Sequence, residues 1–389
     1  MSYQFLEPYT FKNGIKVKNR VVIPPMTECM SFADGTVTSD ECNYFNIHTG
    51  GAGMFITGCA FVNEEGRGYE GELGASDDKF IPGLTRLASA IKQNGTKAIL
   101  QVFSAGRMST TAILRGKKPV SASEVPAPRP GAETPRALKT EEVDQLVKDF
   151  GEATRRAIQA GFDGIEIHGA NTYLIQQFFS PHSNRRTDKW GGSLEKRMRF
   201  PLAIIDEVSA TIKKYADRPF LFGYRISPEE IEEPGIRFSD TLALIDEIVK
   251  RPVDYLHVSM GTVWRTSLNN KDDKTALNLE IKERIGDMPL IGVGDVEKPE
   301  EAEDVIDKGM DFVAIGRESI REPHWVQKVE ANDEKSIRYD LSLTDLDELG
   351  IKAPFWDFIM SLFGAGMHVT GQNNIDRKTY RDAVDQLLS

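Results

Sequence analysis

Short apolar runs alternate with longer amphipathic stretches along most of the chain. Eight of the runs are rich in Val, Ile and Phe and end mostly in Gly, Pro or a polar residue, which is typical of buried parallel strands. These predicted strands are Arg20–Pro24, Met54–Gly58, Lys97–Val102, Gly164–His168, Phe220–Ile226, Tyr255–Ser259, Pro289–Val293 and Phe312–Ile315. The periodicity between them predicts helices over Ser39–Thr49, Gly83–Asn94, Thr140–Ala160, Ser193–Tyr215, Ser239–Lys250, Thr275–Ile285 and Pro299–Lys308.

This alternation predicts an α/β fold, and its leading architecture is a (β/α)8 barrel. A doubly wound sheet shows the same alternation, so periodicity alone leaves it open. We expect residues 1–340 to form the barrel and 341–389 to form a C-terminal extension, packed on the barrel or on a partner subunit. Its segments LSLTDLDELG and RKTYRDAVDQLLS are predicted to be helical. Arg107–Lys139, which is rich in Pro and charge, is predicted to be an extended loop where a lid would cover the barrel mouth.

Composition narrows the class of protein. Of 389 residues, 40% are hydrophobic and 28% charged, which predicts a folded globular chain. The mean hydropathy is −0.36, no long uncharged apolar run occurs, and the first residues lack a signal-peptide core, so we expect a cytoplasmic protein without membrane contact. A net charge of −11 argues against nucleic-acid binding. Three cysteines without a CxxC pair predict no disulfide framework and no metal site.

Glycines at the ends of the last two strands indicate a phosphate site. Gly292 and Gly294 are taken to follow the seventh strand, and Gly316-Arg317 follows the eighth. Barrels commonly bind phosphate at these two loops, because glycines let backbone amides approach the oxygens and an arginine adds a charged donor. Glycines also serve tight turns without any ligand, but two such loops with Arg317 beside them favour phosphate.

Three polar side chains follow the fourth strand within a few residues: His168, Asn171 and Tyr173. Two neutral hydrogen-bond donors and a phenol suit a substrate oxygen that gains negative charge during a reaction. The structural alternatives are a satisfied core histidine and a tyrosine packed under a loop. A polar trio at the carboxyl end of a strand favours function, because burying it without partners is costly.

The segment that contains this trio, IEIHGANTYLIQQFFSPHSNRRTDKWGGSLEKRMRF, resembles the signature of the old yellow enzyme family, which comprises FMN-dependent ene-reductases and NADH:flavin oxidoreductases. The run from Ser183 to Ser193 is highly specific for that family. Further matches follow in the right order: Asn19 to Thr27, Gln101, Ala105-Gly106-Arg107, Arg225 and Gly316-Arg317. The resemblance covers roughly residues 5 to 330 and implies a (β/α)8 barrel with one FMN and with NADH or NADPH as transient reductant.

The resemblance also implies a flavin site. Gln101 would hold the pyrimidine edge of the ring, and Arg225 would hold its N1–C2=O edge and stabilise the reduced form. Backbone at the corner Pro25-Met26-Thr27 and near Gly58-Cys59 would touch the ring, and the Thr27 hydroxyl would tune its potential. The structural alternatives are a Thr27 hydroxyl that bonds only backbone, and an Arg225 paired with Glu229 or Glu230 at the barrel mouth.

The implied reaction is the reduction of an alkene conjugated to a carbonyl, or of a related quinone-like acceptor. NADH gives hydride to N5 of FMN and leaves, and the acceptor then takes its place, with its oxygen held by His168 and Asn171. Hydride passes to the β-carbon while Tyr173 donates a proton to the α-carbon. Cys29 stands where many relatives have Tyr, and it is placed with these three residues in the substrate site.

The sequence leaves two alternative functions and the oligomeric state undecided. The alternatives are a flavin-binding protein without turnover and a barrel enzyme that acts on a phosphate substrate without flavin. A homo-oligomer is compatible with the chain. Arg377 and Arg381 are expected to be solvated charges or, as in some relatives, to reach the site of a neighbouring subunit.

Overall fold

The computed structural model describes residues 3–362 and 364–388, and its main feature is a closed barrel of parallel strands. The barrel strands are β1 Val21–Ile23, β2 Met54–Phe61, β3 Lys97–Phe103, β4 Gly164–Gly169, β5 Leu221–Ile226, β6 Tyr255–Val258, β7 Leu290–Val293 and β8 Phe312–Ala314. Each strand pairs with its neighbour in sequence, and β8 pairs with β1. The predicted barrel is therefore confirmed, and the doubly wound sheet is excluded because the sheet closes on itself.

The chain has helices between the barrel strands and after them. They are α1 Ser39–His48, α2 Ile81–Ile91, α3 Thr140–Gln159, α4 Leu174–Phe179, α5 Leu194–Tyr215, α6 Phe238–Ile248, α7 Leu277–Ile285, α8 Pro299–Asp307, α9 Arg317–Arg321, α10 Trp325–Glu330, α11 Ala353–Leu362 and α12 Arg377–Leu388. Of these, α1, α2, α3, α5, α6, α7 and α8 lie close to where periodicity predicts helices. The shorter strands are Tyr9–Thr10, Lys16–Val17, Leu73–Gly74, Val120–Ser121 and Arg136–Ala137. Within the described residues, no helix combines the length and the apolar run that crossing a membrane requires.

The lower half of the barrel is filled by apolar side chains that point inward at every second strand position. Ile99, Leu221 and Tyr255 belong to this cluster, and Phe11 of the N-terminal hairpin closes it by stacking on Phe312 with ring centroids 5.3 Å apart. At Gly223 a Cβ atom would lie 2.1 Å from the Tyr255 ring, so only glycine leaves space for that ring. The lower barrel is thus a packed core without room for a ligand.

Polar residues occupy the same inward positions in the upper half. In Gly164-Ile-Glu-Ile-His168, Ile165 and Ile167 belong to the core outside the barrel, whereas Glu166 and His168 alternate with them toward the inside. The pairing register sets Arg225 of β5 level with His168 of β4 and with His257 of β6. The period-2 alternation therefore brings a polar layer to the carboxyl ends of the strands, where barrels carry their sites.

The C-terminal segment differs in part from expectation. Leu341–Gly350 is not an α-helix: a capping box between Ser342 and Asp345 starts only a 3-10 turn at Leu343–Asp345, and Leu341 pairs with Val369. The predicted helix at the end is confirmed as α12, and Ser389 lies outside the described residues. The sequence did not predict α11, an apolar helix whose Phe355 and Ile359 are buried.

The loop predicted over Arg107–Lys139 is irregular apart from its two short strands, and it is held over the barrel by arginines. Arg107 donates to the carbonyl of Pro126 at 3.0 Å, and Arg186 donates to the carbonyl of Ala122 at the same distance and to that of Leu138. The Arg186 guanidinium also pairs with Asp188, which holds the pKa of that carboxyl at about 2. These contacts explain part of the Ser183–Ser193 motif, since it anchors this loop.

Candidate active site

A cavity opens at the carboxyl ends of the barrel strands. The predicted site residues that line it are Pro25, Met26, Thr27, Asn171, Arg225, Gly294, Gly316 and Arg317. Four of its lining residues come from the C-terminal helices: Phe355, Ile359, Tyr380 and Val384. The cavity therefore joins the loops after the first, fourth, sixth, seventh and eighth strands, with Arg225 of the fifth strand, to a wall that the sequence did not predict.

The corner after β1 packs against β2. The Thr27 hydroxyl lies 3.3 Å from the Cys59 thiol, so the alternative in which it bonds only backbone is wrong. At Gly58 a Cβ atom would lie 2.8 Å from the Met26 carbonyl oxygen, so glycine allows the strand to approach the corner. Burial raises the pKa of Cys59 and keeps its thiol protonated.

Gln101, Glu166 and His257 form a hydrogen-bonded chain across three strands inside the barrel. Gln101 Nε2 donates to Glu166 Oε1 at 2.7 Å, and His257 Nδ1 lies 3.0 Å from Glu166 Oε2. Burial alone would raise the pKa of Glu166, but His257, Arg225 and Gln101 outweigh it and hold the pKa below its usual value. Glu166 is therefore a buried carboxylate, and it fixes the amide of Gln101 with the amine toward itself and the carbonyl oxygen turned away.

Arg225 lines the cavity beside this chain. The carboxylates proposed as its alternative partners are used elsewhere: Glu229 accepts from Ser267 Oγ, and Glu230 accepts from Gln176 Nε2, each at 2.9 Å. Arg225 Nε is buried and has no hydrogen-bond partner among the described residues. The mouth salt bridge is therefore wrong, and the guanidinium keeps donor capacity for a ligand.

His168 is buried as a neutral imidazole. Burial, with Arg225 and His257, lowers its pKa well below 6.5. Its Nδ1 accepts the backbone N–H of Ala170 at 3.3 Å, so the ring proton is on Nε2 and that atom is a donor. Among the described residues, Nε2 of buried His168 has no hydrogen-bond partner, contrary to the core-histidine alternative.

Asn171 and Tyr173 are presented by a sharp turn after β4. Asn171 and Thr172 both have left-handed backbone, with φ of +57° and +61°, which asparagine tolerates better than most residues. The Ser227 hydroxyl donates to Asn171 Oδ1 at 3.4 Å, which leaves the Nδ2 amine as a donor. The Tyr173 ring stands edge-on to the His168 ring with centroids 4.9 Å apart. The structure therefore brings the predicted trio together.

Tyr69 is a site residue that sequence analysis missed. Its hydroxyl is hydrogen-bonded to the Tyr173 hydroxyl, and its ring lies edge-on to Phe358 of α11 at 5.3 Å. Buried Glu72 holds this loop by accepting the Gly68 N–H at 2.7 Å. Tyr69 also lines an open hollow beside the cavity, together with Cys29. Cys29 therefore lines this hollow and not the main cavity, so its predicted place in the substrate site is not beside Asn171 and Arg225.

Gly294 follows β7, and Gly316 and Arg317 follow β8, and all three line the cavity, whereas Gly292 lies elsewhere. At Gly294, φ is +125° and a Cβ atom would lie 2.7 Å from the Thr262 backbone nitrogen. Gly292, by contrast, lies inside β7, and a Cβ there would meet Val263 and Met310 rather than the cavity. The prediction that Gly292 follows the strand is wrong, because this glycine lies within β7, where it allows close packing and is not part of the cavity lining.

These residues fit a flat, phosphate-bearing redox cofactor. Arg225, whose Nε has no partner among the described residues, lines the cavity, and buried Gln101 offers an amide acceptor inside the barrel, as a flavin ring requires. Close-packed glycines and Arg317 lie at the other end of the cavity, as a phosphate requires. Fold and site together define a parallel α/β barrel of the flavoprotein class.

Comparison with known proteins gives the same class. A model of the NADH:flavin oxidoreductase / NADH oxidase family matches residues 4–336. The chain is 43% identical over 360 residues to YqiG, a probable NADH-dependent flavin oxidoreductase of Bacillus subtilis, covering 92% of this chain and 96% of that protein. The chain therefore belongs to the NADH:flavin oxidoreductase / NADH oxidase family.

Other relatives are much longer than this chain. It is 45% identical to a NADH:fumarate oxidoreductase of Klebsiella pneumoniae, covering 91% of this chain and 39% of that protein. It is 44% identical to a NADH:acrylate oxidoreductase of Vibrio harveyi, covering 92% of this chain and 36% of that protein. The chain thus spans less than two fifths of the length of these two relatives.

Solved structures agree with the fold. An old yellow enzyme homologue from Zymomonas mobilis superposes with a TM-score of 0.74 at 26% identity, covering 85% of this chain and 93% of that one. Morphinone reductase in complex with tetrahydroNAD gives a TM-score of 0.73 at 25% identity, covering 85% and 92%. The predictions of the family, of an oxidoreductase, and of FMN with a nicotinamide reductant are confirmed at the level of the family.

Proposed function

We propose that this protein reduces alkenes conjugated to a carbonyl or carboxyl group, with NADH as the electron donor. The observation that carries the proposal is the trio after β4: the neutral donors His168 and Asn171 stand beside the protonated phenol of Tyr173, next to the cavity that Arg225 lines. The names of the relatives that act on fumarate and acrylate point to the same substrate class, since both are alkenes conjugated to a carboxyl group.

His168 and Asn171 bind the oxygen of the acceptor. His168 donates from Nε2 and Asn171 from Nδ2, because the protein already uses Nδ1 of the first and Oδ1 of the second. Both groups are neutral, so they bind weakly to a neutral carbonyl and more strongly as its oxygen gains negative charge. Each donor of this kind lowers the barrier by on the order of 3 kcal/mol.

The flavin supplies the redox step. Gln101 and Arg225 would hold the ring of FMN, and Gly294, Gly316 and Arg317 would hold its phosphate. Bound there, the cofactor would provide hydride transfer from the nicotinamide to the β-carbon of the alkene. Glu166 orients Gln101 for this contact. The walls of the cavity are mainly apolar, which excludes water from the face where hydride moves.

Tyr173 donates the proton that completes the reduction at the α-carbon. Burial, with neighbouring Tyr69, raises its pKa, so the phenol is fully protonated at neutral pH and its phenolate is unstable. The Tyr69 hydroxyl, hydrogen-bonded to it, returns the proton from the open hollow that Tyr69 lines. Two phenols in series therefore connect the reacting carbon to solvent.

Absorbance of the purified holoprotein tests this function. Under anaerobic conditions the flavin bands are expected to bleach with NADH and to return when acrylate or an enone is added, with one saturated product formed per NADH. Bands that do not bleach would make the protein a flavin carrier without turnover. Bleaching without recovery by any conjugated alkene would refute the proposed substrate class, and a protein that takes up no flavin would refute the cofactor.

A further inference from the structure

The C-terminal helix α12 returns to the cavity that the barrel loops form. The family match ends at residue 336, so the family model assigns no role to this part of the chain. Tyr380 and Val384 of α12 nevertheless line the cavity opposite Gly294 and Gly316. The helix is therefore placed where it faces the phosphate end of the cofactor site.

A buried carboxylate complicates that phosphate end. Asp295 directly follows Gly294, its backbone is left-handed with φ of +54°, and only 4% of its side chain is exposed. Its Oδ1 accepts from Arg317 at 3.0 Å. A carboxylate in this position repels an incoming phosphate and occupies the guanidinium that the phosphate needs. Something else has to neutralise Asp295 before Arg317 is available.

Two arginines of α12 meet that need. Arg377 Nε lies 3.1 Å from Asp295 Oδ1, and another nitrogen of Arg377 donates to the Asp295 carbonyl at 2.7 Å. Arg381 contacts Asp295 Oδ2 at 3.3 Å. Arg377 is also paired with Glu301 at 2.8 Å, and the Arg377 and Arg381 side chains are 30% and 34% exposed. Both arginines therefore have acidic partners within the chain while keeping part of their surface in solvent.

The same helix also holds Arg317 and the loop after β6. The Arg317 guanidinium stacks on the Tyr380 ring, with Cζ 4.1 Å from the centroid. Asp385 accepts the Gly261 N–H at 2.7 Å and pairs with Arg265 at 3.4 Å. The helix is thus attached to the loops after β6, β7 and β8, which are the loops that surround the phosphate end.

We propose that α12 is an intramolecular part of the phosphate site: Arg377 and Arg381 neutralise Asp295, and Arg317, aligned by Tyr380, is thereby released for the phosphate of FMN. The inference rests on the assignment of FMN to the cavity, but not on the substrate or on the proton donor. Because the effect acts on the phosphate, it discriminates between flavins with and without one.

Flavin binding to the apoprotein tests the proposal, with fluorescence quenching as the readout. The double variant Arg377→Gln/Arg381→Gln is expected to raise the Kd for FMN at least about tenfold and the Kd for riboflavin less than about twofold. Adding Asp295→Asn to that double variant is expected to restore most of the FMN affinity, because the charge that needs neutralising is gone. Lys378→Gln, on an exposed position of the same helix, is the matched control and is expected to change neither Kd.

The outcomes separate the proposal from simpler explanations. Equal weakening of both flavins would show that α12 is only a wall of the cavity. Unchanged binding of both flavins would show that the arginines have no role at the phosphate. A triple variant that Asp295→Asn fails to rescue would show that the arginines do not act by neutralising Asp295, which overturns the proposal. A wild-type apoprotein that binds neither flavin would refute the FMN assignment and this inference with it. Loss of alkene reduction with intact FMN binding would refute only the proposed function.

Discussion

Tyr173 is proposed as the proton donor, and this role affects only the second half-reaction, in which the alkene is reduced. Its phenol is needed only after hydride has reached the alkene, so Tyr173→Phe is expected to leave bleaching of the flavin by NADH within about twofold and to slow recovery by the alkene on the order of a hundredfold or more. Stopped-flow absorbance measures both half-reactions in the same sample. The first half-reaction is the internal control, and equal slowing of both would contradict the assignment of Tyr173 as proton donor.

Tyr69 acts through Tyr173, so its effect has to depend on that residue. Tyr69→Phe removes only the hydroxyl that is hydrogen-bonded to Tyr173, and we expect recovery by the alkene to slow about tenfold with FMN affinity unchanged. In a protein that already carries Tyr173→Phe, the same substitution is expected to have little further effect, because the two phenols work in series. Independent, multiplying effects in the double variant would contradict a relay.

The protonation states of His168 and Tyr173 predict the pH profile. Burial lowers the pKa of His168 well below 6.5, so its imidazole stays neutral as the pH falls through that value. Burial raises the pKa of Tyr173 well above 10, so its phenol stays protonated as the pH rises toward that value. The alkene half-reaction is therefore expected to be level between about pH 6 and pH 9. A change of rate with an apparent pKa near 6.5 would contradict the neutral imidazole.

At the scale of elements, charged and polar side chains from three adjacent strands, β3, β4 and β5, interact inside the barrel. Glu166 on β4 places a negative charge near Arg225 on β5 and fixes Gln101 on β3. Glu166→Gln keeps the shape but removes the charge, so the flavin midpoint potential is expected to rise, by on the order of 30 mV. Potentiometric titration measures the shift, and circular dichroism checks that the variant is folded. A potential that stays constant or falls would contradict this role for Glu166.

The strands and the residues at their ends could be predicted from the sequence. Continuous apolar runs mark all the barrel strands, and the chemistry of His168, Asn171 and Arg225 follows because parallel strands end at one face. The alternation within Gly164–His168 also carried a signal for Glu166, which shares the inward face with His168. Grouping Gly292 with Gly294 after the strand conflicts with the predicted strand Pro289–Val293, which contains Gly292, and the structure supports the strand.

Other parts of the site had no local signal. Tyr69 lies in a loop without periodicity, and only the tertiary structure sets its hydroxyl against that of Tyr173. The helix α11 was missed because it lies beyond the eight strand–helix units that the pattern predicts. Its place is set by tertiary contacts, such as Phe355 packed against Tyr44 with ring centroids 5.1 Å apart. Asp295 and its arginines are separated by more than eighty positions in sequence. Such contacts form only when the tertiary fold brings distant segments together, so no single segment predicts them.

At the scale of the whole molecule, the C-terminal segment shares its core with the barrel. Among the described residues of this segment, seven apolar side chains are at most 3% exposed: Leu341, Leu349, Ile351, Phe355, Ile359, Met367 and Val369. Buried His48 of α1 links the two parts, with Nδ1 2.8 Å from the Ser319 carbonyl oxygen and Nε2 2.8 Å from that of Leu349. We therefore propose that residues 341–376 belong to the folding unit of the barrel, whereas α12 serves the cofactor site.

Two truncations separate these roles. Each buried apolar side chain contributes about 1.5–3 kcal/mol, and a domain is stable by only about 5–15 kcal/mol, so a chain of residues 1–340 is expected not to fold into a soluble barrel. A chain of residues 1–376 keeps those side chains and is expected to fold, with FMN affinity reduced more than riboflavin affinity. Circular dichroism and flavin titration of both chains make the comparison. A 1–340 chain that unfolds cooperatively and binds FMN as tightly as the full chain would show that the extension is dispensable for both.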